Sequence, residues 1–174
     1  MPAQRAQAAP ARKDKVQAVI EKVTSPFYLR LFFLTKLPLA LVAGLRVRDL
    51  DETSCRVCVP YGWRTTNPFK STYFAALSMA AELSTGLLAD IQVRLAPESV
   101  AMLIVGLEAQ FEKKATGTAT FTCEQGDLLA QAVSRTLETG EPATAKVETV
   151  GRLKDGTVVA RFSFTWSFKR RTWH

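Results

Sequence analysis

The sequence predicts an α+β domain: a six-stranded antiparallel sheet curled around one long buried central helix, with extra N-terminal helices and a helix inserted before the last hairpin. Three observations carry this. Between Lys70 and Asp90 the chain is rich in helix formers and holds one charge, Glu82, so that helix is buried almost all round. On either side of it the apolar period changes to two, the signature of strands. A length of 174 residues supplies one core large enough to be covered in this way.

Residues 1–12 are mostly Ala, Gln and Pro without an apolar pattern and are expected to be a disordered tail. A single domain over 13–174 follows, with a helical segment at 13–37 and a core at 38–169. Val16, Val19, Ile20 and Val23 share one face of a short helix that stops before Ser25-Pro26. The aromatic segment with Phe27, Tyr28, Phe32 and Phe33 then reads as a helix covering the core, or walling a pocket for an apolar ligand.

Leu45 to Leu50 and Ser54 to Val59 form two strands around an Asp51-Glu52 turn. Asn67-Pro68 punctuates the chain before the central helix, and Ser71 or Thr72 can cap its first turn. In the next strand Leu103, Val105, Leu107, Ala109 and Phe111 share a face. Lys114 to Gly117 turns it into a hairpin with Thr118 to Glu124, whose Ala119, Phe121 and Cys123 point inward. Gln125 to Glu138 is an amphipathic helix with Leu128, Leu129, Ala132, Val133 and Leu137 inside, ended by Gly140. The last hairpin turns at Lys154-Asp155-Gly156. Its final strand puts Val158, Ala160, Phe162, Phe164, Trp166 and Phe168 on one side. An edge strand and part of the helix stay uncovered, which invites a two-fold dimer.

Composition narrows the chemistry. The net charge of +7 gathers at the two ends, in Arg5, Arg12, Lys13 and Lys15 and in Lys169, Arg170 and Arg171, so no nucleic-acid partner is expected. Three cysteines are an odd count and point to a reducing, cytoplasmic setting. Cys55 and Cys58 are spaced as C-x-x-C, but on a strand they face opposite ways. The one histidine, His174, ends the chain, which argues against a zinc site or a Ser-His-Asp triad. No secretory h-region opens the sequence, although its Ala- and Arg-rich start leaves a mitochondrial presequence open. Arg30, Lys36 and Pro38 break the apolar run Phe27 to Leu45, so no membrane span is expected.

Within the central helix Ser71, Ser78, Glu82 and Thr85 lie on one line, and Ala75, Ala76, Ala80, Ala81 and Gly86 let other backbone approach. Glu82 on that line is either a site carboxylate or a side chain reaching solvent at the edge of the packing.

The stretch Asn67-Pro68-x-x-Ser71-x-Tyr73-x-Ala75-Ala76, continuing to Ala80-Ala81-Glu82 and Gly86, carries a resemblance. With Thr116-Gly117-x-Ala119-x-Phe121 and Phe164-x-Trp166-x-Phe168, it resembles the hotdog-fold superfamily over about Leu37 to Phe168. The resemblance is to a branch of unknown function (DUF4442-like) related to the PaaI-type acyl-CoA thioesterases. It implies that Asn67 and Glu82, fifteen positions apart, belong to an active site. Glu82 would serve as general base or nucleophile on a thioester carbonyl, and Asn67 would position substrate or water. Backbone N–H groups around Ser71 to Tyr73 would polarise the carbonyl. Ser71, Thr72, Tyr73, Ser78 and Thr85 complete the expected substrate-binding set. Many relatives carry His-Gly-Gly where this chain has Ser71-Thr72-Tyr73.

No metal or cofactor is expected beyond coenzyme A as part of the substrate, whose phosphates Arg64, Lys70, Lys169, Arg170 and Arg171 could meet. The expected partners are an acyl thioester or lipid-like small molecule and a second copy of the chain, with further pairing to a tetramer left open. The alternative is a non-catalytic acyl or lipid binding module using the same pocket.

Overall fold

The structure, a computed structural model, describes Asp14 and residues 16–171. The tail expected to be disordered, and His174, lie outside the described residues. Helix α1 covers residues 16–24, followed by α2 (Pro26–Lys36) and α3 (Pro38–Ala43). Proline opens both α2 and α3, where its missing N–H is no loss and its fixed φ suits the helix. Helical structure was expected to end at Leu37. It runs on because Pro38 starts a new turn, closed at Gly44 with φ 75°.

Strands β1 (Arg46–Leu50) and β2 (Cys55–Val59) form the expected hairpin. Its turn is tied by Asp51, whose Oδ1 accepts the N–H groups of Thr53 and Ser54, each at 2.7 Å. Next comes the central helix α4 (Phe74–Leu95). Ser71 and Thr72 do not cap it. The Thr72 N–H and hydroxyl both donate to the Ala115 carbonyl, at 2.8 and 3.0 Å, so this residue belongs to the loop packing. The helix continues past Asp90 to Leu95, and Ala96, ahead of Pro97, turns extended.

The remaining elements are β3 (Val100–Phe111), β4 (Ala119–Cys123), α5 (Gly126–Thr139), β5 (Ala143–Arg152) and β6 (Val158–Arg170). All pairings are antiparallel, in the order β1-β2-β4-β5-β6-β3. Two expectations are corrected here. β3 and β4 are not a hairpin: β3 pairs with β6 at one edge, while β4 lies between β2 and β5. Nor do the five apolar residues of β3 share a face. The register shifts between Ile104 and Gly106, leaving Val105 as the extra residue of a bulge. Leu103 therefore sits opposite Ser167, whereas Leu107 sits opposite Phe164 and Ala109 opposite Phe162.

The core lies between the sheet and α4. Phe121, Phe162, Phe164, Trp166 and Phe168 are buried against the helix residues Leu77, Leu83, Leu87, Leu88 and Ile91. Each such side chain stabilises the fold by about 1.5–3 kcal/mol on leaving water. A buried hydrogen bond of 2.8 Å between Ser84 and Thr149 fixes the helix on the sheet. α5 buries Leu129, Ala132 and Val133 but leaves Leu128, expected inside, 41% exposed. α4 is long and apolar enough to cross a membrane, yet 67% of its most apolar window is buried inside the fold. Its partly covered side begins at Tyr73 and Phe74 and runs through Ala75, Ser78, Met79 and Glu82.

Candidate functional site

Two hollows open along that side of α4. The first, of about 550 Å³, lies at the start of the helix and is lined by Asn67, Tyr73, Phe74, Leu77, Phe111 and the Glu112 to Ala115 turn, among others. Asn67 is half-buried in a tight loop. Its Oδ1 accepts the N–H of Phe69 at 3.0 Å, the N–H of Ser71 at 3.2 Å and the Ser71 hydroxyl at 3.3 Å. Two backbone donors on one oxygen fix which way the amide points, and they leave Nδ2 as its available donor. Lys70 closes the loop in the left-handed region, at φ 56°.

The backbone N–H groups expected to polarise a carbonyl are in use. Ser71 donates to Asn67, Thr72 to the Ala115 carbonyl at 2.8 Å, and Tyr73 to the Thr65 carbonyl at 2.6 Å. The next two, of Phe74 and Ala75, make no hydrogen bond among the described residues, and no side chain caps the helix. Donors for a developing negative charge therefore start one turn of chain later than the motif implied. The floor of this hollow is aromatic. Tyr73, Phe74 and Phe111 follow one another edge to face, with ring centroids 4.8 and 6.3 Å apart, and behind them Phe111 packs on the buried Phe162 at 5.6 Å.

The second hollow, of about 320 Å³, lies between α3 and α4 and is lined by Leu37, Leu39, Ala40, Leu45, Met79 and Leu83, with Glu82 among them and Lys36 beside them. The Glu82 carboxyl group has no hydrogen bond or ion pair among the described residues. Burial pushes its carboxyl above the ordinary glutamate range, because the charged form has lost solvent and gained no partner there. This wall is α3. The aromatic segment expected to make it contributes elsewhere, with Phe33 buried and Phe27 79% exposed.

The single chain does not bring Asn67 and Glu82 together. The two hollows share no lining residue. Glu82 lies eight residues along the helix from Phe74, about 12 Å along the axis. The line of polar residues also divides. Ser71 is buried ahead of the helix, and the Ser78 hydroxyl donates to the Phe74 carbonyl at 2.9 Å. Thr85 is fully buried; its hydroxyl donates to the Glu82 carbonyl at 3.0 Å and accepts the Trp166 indole N–H at 3.1 Å. It is a core residue that lines neither hollow.

Cysteine chemistry is closed off by burial. Cys55 and Cys123 are register partners on β2 and β4, and desolvation raises both thiols, Cys123 to about 11. Among the described residues no group of His, Cys, Asp and Glu could hold a metal ion. Sequence reasoning missed Phe74, Phe111 and Met79 as lining residues. Phe74 and Met79 carried a usable signal, their spacing of eight and three from Glu82 along one helix face.

The sequence matches the family described as a domain of unknown function, DUF4442, over residues 28–168. The chain belongs to the DUF4442 family. No curated protein matches it. The architecture of this DUF4442 protein is the hotdog fold, a six-stranded antiparallel sheet with a long central helix. Among solved structures, it is similar to a Pseudomonas aeruginosa protein of unknown function described as a probable thioesterase. The identity is 22%, over 84% of this chain and 97% of that one, with a TM-score of 0.70. A Chlorobaculum tepidum protein of unknown function is 13% identical over 88% of this chain and 99% of that one, with a TM-score of 0.73. A Haemophilus influenzae thioesterase is 13% identical over 90% and 98%, with a TM-score of 0.65.

Proposed function

We propose that the protein hydrolyses an acyl-CoA or similar thioester, with Glu82 as general base or nucleophile and Asn67 as a carbonyl-directed donor. One observation carries this reading: a partnerless carboxylate, raised by desolvation, set on the central helix in an apolar hollow. A buried structural carboxylate is normally paired. As general base Glu82 takes a proton from water while the oxygen adds to the thioester carbonyl. The oxyanion is met by Asn67 Nδ2 and the free N–H groups at Phe74 and Ala75. Collapse breaks the C–S bond, and the thiolate leaves with the proton held by Glu82, giving a carboxylic acid and a thiol.

Because one chain keeps Asn67 and Glu82 apart, this chemistry rests on a homodimer. β3 is a free edge of twelve residues with Leu103, Val105, Leu107 and Phe111 exposed. Such an edge pairs readily with a second copy. Its neighbour β6 places Trp166 against Gly86, one turn beyond Glu82, so a copy joined at β3 lies beside the Glu82 side of α4. Asn67 of one copy then faces Glu82 of the other.

A second reading, an acyl or lipid binding module without turnover, is favoured by the consumed N–H groups of Ser71 to Tyr73. Thiol release from acyl-CoAs of increasing chain length separates the two. Turnover that Glu82→Gln lowers at least about a hundredfold, the range of a general base, supports the enzyme. A flat panel with well-folded protein, together with co-purified lipid detected by mass spectrometry, leaves the binding module.

A further inference from the structure

A third hollow, of about 420 Å³, lies between the start of α2, the α3–β1 junction and the edge of β1. Its charged residues are Arg30, Arg46, Arg48 and Arg64, and no acid lines it. Their convergence is built by the fold. Arg46 is the register partner of Cys58, and Arg48, at the β1 bulge, donates from Nε to the Cys58 sulfur at 3.3 Å, so both gather at one point of β2. Arg64 reaches in from the loop ahead of Asn67, its guanidinium 3.3 Å from where a Gly44 side chain would begin. Arg30 comes from the second turn of α2.

Four arginines outside the hollow meet acids: Arg56 with Asp49, Arg94 with Asp90, Arg161 with Glu112 and Arg170 with Glu98. None of the four in the hollow has an ion pair among the described residues. Four cations without a counter-charge repel one another, an arrangement that favours binding an anion. The start of α2 adds to the same field. Pro26 lines the hollow, no side chain caps the helix, and its first turn holds no acid. Leu29, Phe33 and Leu41 supply an apolar wall. Guanidinium forks grip phosphate oxygens two at a time.

We propose that this hollow is a binding site for a phosphate ester carried on an apolar body, built from Arg30, Arg46, Arg48 and Arg64. The site adjoins the Glu82 hollow, with Leu45 lining both, and goes beyond the thioester reading because phosphate binding there needs no thioester cleavage. The test reads binding, so its failure leaves the thioesterase question where it was. Titration calorimetry with inorganic pyrophosphate and flotation with phosphatidylcholine vesicles containing phosphatidic acid would be run on three proteins. These are wild type, the pair Arg46→Gln with Arg48→Gln, and Arg135→Gln on α5 as a control for loss of a cation outside the hollow.

Saturable binding that the pair weakens by about tenfold or more, and Arg135→Gln does not, supports the site, since each arginine makes charge-assisted bonds. Saturation by pyrophosphate alone assigns a soluble phosphate ester. Flotation that needs phosphatidic acid assigns a lipid headgroup. Absence of binding in both arms, or equal loss in the pair and the control, overturns the proposal. Circular dichroism of the pair guards against misfolding; should it unfold, Arg64→Gln in the exposed loop takes its place, with the same outcomes.

Discussion

Glu82 is held where its ionised form is disfavoured, and that has a thermodynamic consequence. Its folded pKa lies above the unfolded value, so between the two the native state binds more protons. Stability attached to this group is present at low pH and is lost as pH rises through the folded pKa. Glu82→Gln, which keeps the shape and removes the charge, should therefore raise Tm at pH 8 and leave it nearly unchanged at pH 4. Thermal melts across that range check it; a variant less stable at pH 8 would show that the carboxylate has a stabilising partner. The same shift should place the acidic limb of a kcat/KM profile above the ordinary glutamate range. Thr85 gives a contrasting prediction. Thr85→Val strands the Trp166 indole N–H in the core and should cost about 1–3 kcal/mol in urea unfolding, with ligand binding unaffected.

Among the elements, α5 starts on a contact that only glycine allows. A Cβ on Gly126 would sit 2.1 Å from the Glu52 carbonyl oxygen and 2.7 Å from Thr53 Cα. Gly126→Ala must push the helix off the β1–β2 turn and should cost about 3 kcal/mol, the upper range for overpacking. Urea midpoints would show it, and a cost under half that would mean the turn yields easily. Elements with a strong local period were legible in the sequence: α4 through its near-absence of charge, β6 through strict alternation. β3 was not. Its partner β6 lies more than forty residues on, and turn residues at Lys114 to Gly117 mimic a hairpin that the sheet order does not use. The bulge at Val105 moved half its side chains to the other face. Gly106 beside it was the available hint, since glycine inside a strand often marks a bulge.

At the scale of the molecule, the proposed chemistry depends on what covers the β3 edge. A charge at its centre, Leu107→Lys, should shift sedimentation from the proposed dimer to monomer, because a buried lysine pair at a two-fold edge has no counter-charge. Undiminished dimer would place the contact elsewhere. The candidate site was legible in part. Glu82 stood out as the one charge on a buried helix and Asn67 through the family resemblance, and both line hollows. That the N–H groups of Ser71 to Tyr73 are spent was not legible, because Thr72 is bound by Ala115, forty-three residues away. The most direct measurement mixes two dead chains. Asn67→Ala and Glu82→Gln, unfolded and refolded together in equal amounts, form mixed dimers that hold one intact Asn67–Glu82 pair. If the pair is shared between copies, thiol release should return to about a quarter of wild type, since half the dimers are mixed and each has one working site of two. No recovery, with wild type active and mixed dimers present, would contradict the shared site.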